Sequence, residues 1–361
     1  MITSVHIENF KCFKDFDIDL GSFNVLIGPN DSGKTAFLQA LMIGTYQATG
    51  QWGLTGLARA IGMPIGPANF WRKNTDSPIR IGLRGKEWGD DQAVGRPHLD
   101  VASEGDRSFR SSVEGAENAR PGWNTLMPKG VNWREDWYQK TIGKAEYFAF
   151  DPSNLRKASR QTEEMFRMTC AGEHLATFLD DMLRQDRDVF SALEKEFYSR
   201  FPDYSLLTID KVKHEGVVAY VVNFRTQYDH VLPAGAVSDG VMLSLAYLAL
   251  CYRPDPPKVL LIEEPEAGVH HASLKQIVTT LRELSDQKHV QIVLTTHSPY
   301  LLDCVEPEEV RVFAKDDEGA VHATKLSDHP DVERMKKHFM SGEIWTGLSE
   351  EDIVLNPGTD K

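Results

Sequence analysis

The octapeptide at residues 28–35 constrains the fold of this 361-residue chain more than any other segment. It reads Gly28-Pro29-Asn30-Asp31-Ser32-Gly33-Lys34-Thr35 and fits the phosphate-binding pattern GxxxxGK[ST] in full. An apolar run at residues 23–27 precedes it, and residues 35–48 follow with apolar side chains on one helical face. A glycine-rich turn in this position points backbone N–H groups inward, and the helix N-terminus adds partial positive charge.

This octapeptide predicts a nucleotide-binding loop in which each residue type has a role. The loop contributes Gly28, Asn30, Asp31, Ser32, Gly33, Lys34 and Thr35. Lys34 is expected to bridge the β- and γ-phosphates of ATP, and the Thr35 hydroxyl to hold Mg²⁺. The alternative is a plain glycine-rich turn, which the placement between a strand and a helix makes the weaker interpretation.

A second segment, at residues 259–266, is an apolar strand that runs into acidic residues. This is the Walker B arrangement, in which Glu263 is expected to hold the Mg²⁺ shell. The next residue, Glu264, would orient or deprotonate the attacking water. Acidic strand ends are common, so it is the phosphate-binding loop earlier in the chain that favours the functional interpretation.

A third segment, Ser238-Asp239-Gly240, opens an apolar helix at residues 241–251. A Ser-x-Gly at a helix start can bind an anion, although in isolation it is more often an ordinary cap. In a normally ordered sheet it cannot reach the phosphate that Lys34 holds. We therefore expect it to act in trans, on a nucleotide bound by another subunit.

In a fourth segment, residues 294–299, His297 stands at the end of an apolar strand. Ligands of open α/β sheets bind at the carboxyl ends of strands. A lone histidine is usually structural, but this one follows the acidic strand after a single helix. We expect His297 to sense the γ-phosphate and position the water.

The rest of the chain predicts an α/β protein with two additions. Helix and strand alternate at residues 240–251, 258–262, 271–286 and 290–296, which is typical of a mostly parallel sheet. Residues 50–145 contain six of the seven tryptophans and short strand-like pieces, and they predict a β-rich subdomain. Its aromatic side chains either form a small core or stack on single-stranded nucleic acid. Residues 157–200 have a helical pattern, and strands resume near residues 217–224.

The formal net charge of −13 argues against a general nucleic-acid coat protein, although a local basic groove stays open. The four cysteines are scattered without a CxxC pair, which favours a reduced, cytoplasmic protein without a zinc site. No stretch is apolar enough to cross a bilayer, and the strand pattern at the N-terminus leaves no signal peptide to expect.

Together and in this order, the four motifs resemble the ABC-type ATPases that include RecF, the SMC proteins and the OLD-type ATPases. The run Ile7-Glu8-Asn9-Phe10-Lys11-Cys12-Phe13 is similar to that group's opening strand, which implies that Lys11 approaches the nucleotide phosphates. Ser238-Asp239-Gly240 resembles the signature motif, and His297-Ser298-Pro299 resembles the OLD-type switch histidine. Glu263-Glu264-Pro265-Glu266 is similar to the OLD-type Walker B, with Glu263 where most ABC heads have aspartate.

The resemblance implies a P-loop NTPase fold with a mixed, mostly parallel central sheet, a β-rich N-terminal subdomain and an inserted helical lobe. The expected divisions are 1–156 with the phosphate loop and the β-rich insertion, 157–235 as helical lobe and connecting strands, 236–304 with the other three motifs, and 305–361 as an acidic tail packing on the head. A Toprim nuclease domain does not fit into the roughly 60 residues after His297. The acidic run at residues 316–319 is expected to be a hairpin turn.

The expected activity is ATP hydrolysis by a homodimer, or a higher homo-oligomer, that closes head to head. The resemblance implies a separately encoded, nuclease-like effector in bacterial defence against phage. Two alternatives stay open: a RecF-like DNA-repair ATPase acting directly on DNA, and a regulatory ATP-binding scaffold with little turnover. No Q-loop glutamine is evident, although Asp151 lies where that loop is expected.

Overall fold

A computed structural model describes residues 1–49, 79–85, 98–103, 109–114, 145–160, 167–214 and 217–355. These residues belong to two compact units. The first consists of Met1–Tyr147, Pro257–Ile262 and His289–Lys361, and the second of Phe148–Pro256 and Glu263–Lys288. The six tryptophans between Trp52 and Trp137, and with them the choice between a small core and a stacking surface, lie outside the described residues.

The first unit contains an antiparallel sheet of five strands in the order β2-β1-β4-β5-β6. The strands are β1 (Ile2–Phe10), β2 (Phe13–Asp19), β4 (Arg80–Gly85), β5 (His98–Ser103) and β6 (Phe109–Glu114). Strand β2 alternates buried and exposed residues, as a strand with one covered face does.

The first unit also contains the six-stranded central sheet, in the order β15-β14-β3-β13-β12-β7. The strands are β3 (Phe23–Ile27), β7 (Ala145–Phe148), β12 (Val259–Glu263), β13 (Gln291–Thr296), β14 (Val310–Lys315) and β15 (Val321–Lys325). β13 and β14 both pair in parallel with β3, and β15 is antiparallel to β14. Every residue of β3 and β13 is buried, and most of these residues are apolar, as expected of strands covered on both faces.

Where the first unit is described, it also contains one long α-helix and four short ones. Helix α1 (Lys34–Thr49) follows β3, and its Phe37 joins an aromatic cluster with Phe13, Phe16 and Phe313. The short helices are α7 (Pro299–Leu302), α8 (Val332–Met335), α9 (Ser341–Gly347) and α10 (Glu350–Val354). The expected tail, 305–361, supplies two strands of the central sheet in addition to α8, α9 and α10.

Gln291, a fully buried residue of β13, ties the start of the chain to the central sheet. Its Oε1 accepts a hydrogen bond from the Ile2 N–H at 2.8 Å, and its Nε2 donates a hydrogen bond to the Ile2 carbonyl oxygen at 2.7 Å. The same Nε2 donates to the Gly21 carbonyl at 2.7 Å. A buried amide that meets three backbone groups in this way fixes where β1 begins.

The second unit combines helices with a small antiparallel sheet. Its helices are α2 (Pro152–Leu155), α3 (Leu175–Gln185), α4 (Arg187–Arg200), α5 (Asp239–Tyr252) and α6 (His271–Lys288). Its strands are β8 (Ser159–Arg160), β9 (Tyr204–His214), β10 (Val217–Thr226) and β11 (Val231–Pro233), with β10 pairing with each of the others. Residues 241–251 of α5 are all buried, and the elements in contact with α5 include α4 and α6.

The structure confirms the predicted α/β class and the strands and helices around the four motifs. The hairpin expected at residues 316–319 is also confirmed, between β14 and β15. Among the described residues of 157–200, the predicted helical pattern is confirmed from Leu175 onward, in α3 and α4. Ser159 and Arg160 pair with β10, and Gly172 has a φ of +93°, which lies outside the right-handed helix.

Within the described ranges, no helix combines the length and apolar composition that crossing a bilayer requires.

Candidate nucleotide site

The backbone of the phosphate loop is held closely against its neighbours in the first unit. A Cβ on Gly28 would lie 2.3 Å from the Phe313 carbonyl oxygen, and one on Gly33 would lie 2.9 Å from Cys12 Sγ and Val321 Cγ2. Asp31 and Gly33 have φ values of +65° and +95°. Such left-handed conformations turn successive N–H groups toward a concave side, which suits an anion.

We expect Gly28→Ala to destabilise the protein, because the added methyl group meets backbone atoms of β14 that have little room to move. The expected loss is about 1–3 kcal/mol, measured as a lowered midpoint of urea unfolding. Gly235→Ala is the matched control, since a Cβ there meets nothing within 4 Å. Equal midpoints for the two variants would contradict the close packing of the loop on β14.

Lys34 is buried, and its ammonium group points back into the loop. Its Nζ donates to the Gly28 and Pro29 carbonyl oxygens, both at 2.8 Å, and lies 3.3 Å from Ser32 Oγ. A buried cation needs such oxygen acceptors, and phosphate oxygens are of the same chemical kind. This donor set therefore fits ATP. Thr35 is exposed in the first turn of α1.

Two further basic residues of the first unit lie beside the loop. Lys315, at the end of β14, contacts Asp31 with Nζ 2.5 Å from Oδ2. Lys11 has a φ of +52° in the turn between β1 and β2, and its Nζ donates to Gln39 of α1. Burial lowers the pKa of Lys11. Burial also raises the pKa of its neighbour Cys12 to about 11, so this thiol is protonated at neutral pH.

His297 follows β13 at the same edge of the sheet as the phosphate loop. Thr296 of β13 pairs in parallel with Ile27 of β3, so His297 and Gly28 are the residues that leave the two neighbouring strands. His297 is half-buried, and the following N–H, of Ser298, donates to Thr296 Oγ1 at 2.9 Å. The role expected for His297, sensing the γ-phosphate and positioning the water, stays a prediction.

Glu264 follows the end of β12 in an unusual backbone conformation. Its φ is +45°, the left-handed region that non-glycine residues seldom adopt. Its carbonyl accepts from the Ala267 N–H at 3.0 Å, and the Glu266 carbonyl accepts from Val269 at 3.0 Å. The chain therefore turns sharply directly after the two acidic residues. Left-handed residues of this kind cluster at functional sites.

Ser238-Asp239-Gly240 forms the N-terminus of α5 in the second unit. Ser238 is the N-cap residue and is exposed, and its side chain makes no capping hydrogen bond. Asp239 is exposed and contacts Arg156, whose Nη2 lies 2.5 Å from Asp239 Oδ1. The backbone of Gly268 passes close by, because a Cβ on Gly268 would lie 3.5 Å from Asp239 Cβ.

Each unit thus brings part of the predicted site together. The first unit gathers the phosphate loop, Lys11 and His297 around the ends of β3 and β13. The second unit places the signature residues beside the turn that follows Glu264. Sequence analysis missed Lys315 and Arg156. Neither stands in a motif, so no local pattern could have found them.

This fold and these motifs define a P-loop ATPase that is similar to ABC-like ATPases of the OLD and SMC type. The model of the family described as "AAA domain, putative AbiEii toxin, Type IV TA system" matches residues 63–303. Because the match spans more than half of the chain, the protein belongs to this family. A model described as "AAA ATPase domain" matches residues 1–46.

Individual relatives agree with this assignment. A protein of Thermus scotoductus named "OLD nuclease" is 22% identical over 383 residues, which cover 95% of this chain and 68% of that protein. A crystallised SMC head bound to the C-terminal winged-helix domain of ScpA has a TM-score of 0.59 at 13% identity, covering 91% of this chain and 99% of that one. An SMC head with an extended coiled coil, bound to the C-terminal domain of ScpA from Pyrococcus furiosus, has a TM-score of 0.56 at 12% identity, covering 93% and 99%. The fold is therefore similar to that of an SMC head.

Proposed function

We propose that two copies of this ATPase close head to head around two ATP molecules. Each site would combine the phosphate loop of one copy with Ser238, Asp239 and Gly240 of the other. The observation that carries this proposal is the state of Ser238. It is exposed at the start of a 14-residue helix, and its hydroxyl does not cap that helix. A helix N-terminus open to solvent is suited to an anion that comes from outside the subunit.

Within each site, we assign the remaining roles from the same motifs. Lys34 holds the β- and γ-phosphates, the loop N–H groups surround them, and Lys11 adds positive charge nearby. Thr35 and Glu263 would hold Mg²⁺, which neutralises phosphate charge when it is bound. Glu264 accepts a proton from the attacking water, and His297 orients that water toward the γ-phosphate.

A complementation experiment tests the composite site. Lys34→Ala removes the phosphate contact, and Ser238→Arg blocks the trans contact, so each variant alone should be inactive. In a mixture, half of the dimers are mixed and each mixed dimer has one intact site. We therefore expect the mixture to recover roughly a quarter of wild-type ATPase activity. A mixture no more active than its components, when ATP does dimerise the wild type, would contradict sites shared between subunits.

The output of the cycle is opening and closing of the dimer, and we propose that it controls a separately encoded, nuclease-like effector in the bacterial cytoplasm. Two facts support a role in defence: the family description names a putative toxin, and the Thermus relative is named a nuclease. A RecF-like clamp that acts on DNA directly is the alternative. It predicts salt-dependent binding of the purified ATPase to duplex DNA, which the net charge of −13 disfavours.

A further inference from the structure

Arg156 of the second unit holds both ends of the short segment that leads into α5. Its Nε donates to the Ala234 carbonyl at 3.2 Å, and its Nη2 donates to the Val237 carbonyl at 2.8 Å. The same Nη2 contacts Asp239 Oδ1 at 2.5 Å. One planar guanidinium therefore joins a 3-10 turn (Ala234–Ala236), the residue before Ser238 and the residue after it.

The segment that Arg156 holds is irregular. Ala234–Ala236 is a single 3-10 turn, Val237 and Ser238 are extended, and α5 begins at Asp239, while Ala234 and Val237 are buried. Arg156 is itself placed by α2, where it is the C-cap residue and where Asp151 caps the N-terminus through the Ser153 N–H. The contact thus links the region where a Q-loop is expected to the start of α5.

Because Asp239 is charged, its contact with Arg156 also affects the electrostatics at the N-terminus of α5. Asp239 lies in the first turn of α5, and a carboxylate there is attracted to the free N–H groups of the helix terminus. An ATP phosphate would seek the same N–H groups, so a loose Asp239 carboxylate would compete with it and repel it. Arg156 draws the carboxylate aside on one face, and the Gly268 backbone borders the side chain closely.

We propose that Arg156 is the positioning residue of the trans-acting helix terminus. It fixes Ser238 and Gly240 for the partner's nucleotide, and it keeps the Asp239 carboxylate off the N–H groups that the γ-phosphate needs. The inference rests on the proposed function, since it concerns the signature residues of that composite site. Arg156 itself touches neither nucleotide nor water in this arrangement.

The test compares Arg156→Ala with the wild type in two assays. We expect kcat for ATP hydrolysis and the fraction of ATP-dependent dimer to fall between about tenfold and 100-fold. We expect the affinity of the monomer for a fluorescent ATP analogue to stay unchanged, because the Lys34 loop is intact. Lys157→Ala is the matched control, since its side chain is exposed and pairs with Glu173 at 3.0 Å. It should behave as the wild type.

A second substitution separates positioning from mere stability. Asp239→Asn in the Arg156→Ala background removes the competing carboxylate, and we expect it to restore part of the lost dimer. Arg156→Lys keeps a charge but cannot reach all three oxygens, so we expect an intermediate kcat. If Arg156→Ala does not fold, the comparison of Arg156→Lys with Arg156→Lys/Asp239→Asn serves the same purpose.

Three results would overturn the assignment of Arg156: wild-type kcat in Arg156→Ala, equal losses of ATP-analogue affinity and kcat, or no recovery on adding Asp239→Asn. These differ from failure of the proposed function. In that case the wild-type protein and its Glu264→Gln variant would both stay monomeric with ATP, whatever residue stands at 156.

Discussion

Replacing Lys34 with alanine is expected to reduce ATP hydrolysis at least about 100-fold, the size of effect seen when one charged contact to a reacting group is removed. The physical reason is the burial of Lys34, whose ammonium group donates to oxygens of its own loop. ATP binding should be lost in parallel, because the loop N–H groups alone would face the phosphate charge. Equilibrium binding of a fluorescent ATP analogue and steady-state phosphate release measure the two losses.

Lys14→Ala is the matched control for this prediction. Lys14 lies on the outer face of β2 in the same unit, and its exposed Nζ pairs with Glu318 at 3.1 Å. Exposed pairs of this kind contribute about 0–1 kcal/mol, so the variant should keep its stability and ATPase activity. An Lys34→Ala protein that binds the analogue with wild-type affinity would refute the assignment of the phosphate loop.

Replacing Glu264 with glutamine is expected to lower kcat by at least about 100-fold while leaving ATP binding in place. Glutamine keeps the size of the side chain but cannot accept the proton of the attacking water. The cleavage step then stalls with the γ-phosphate intact, so the closed dimer should accumulate. Size-exclusion chromatography with light scattering, with and without ATP, measures the shift from monomer to dimer.

Glu173→Gln removes the same charge elsewhere in the second unit, where Glu173 pairs with Lys157. This control should hydrolyse ATP and dissociate as the wild type does. A Glu264→Gln protein that stays monomeric at every ATP concentration would count against the head-to-head dimer. An unchanged kcat would instead show that Glu264 has no part in hydrolysis, and that variant would then not test the dimer. The kcat and the dimer fraction are therefore measured on one sample.

Much of the fold was predictable because its central strands are covered on both faces. The runs at 23–27 and 290–296 are mostly apolar, and they correspond closely to β3 and β13. Strand β9 was missed for a specific reason. Lys211 is exposed and stands opposite the buried Tyr220 in the pairing of β9 with β10, with its Nζ 5.4 Å from the ring centroid. A lysine that covers an aromatic ring breaks the alternating pattern from which a strand is inferred.

The site residues likewise differ in whether neighbouring or distant parts of the sequence determine their positions. The phosphate loop is a contiguous motif whose neighbours in sequence dictate its conformation, so Lys34 could be identified directly. Arg156 acts on carbonyls 78 and 81 residues later in the chain. Such a contact depends on how α2 and α5 pack within the second unit. A single sequence carries no local signal for it.

The close approach of Gly28 to β14 makes the C-terminal region part of the support of the phosphate loop. The family model stops at residue 303, whereas the carbonyl that abuts Gly28 belongs to Phe313. An engineered fragment that ends at residue 303 would therefore keep all four motifs and still lose the strand against which the phosphate loop packs.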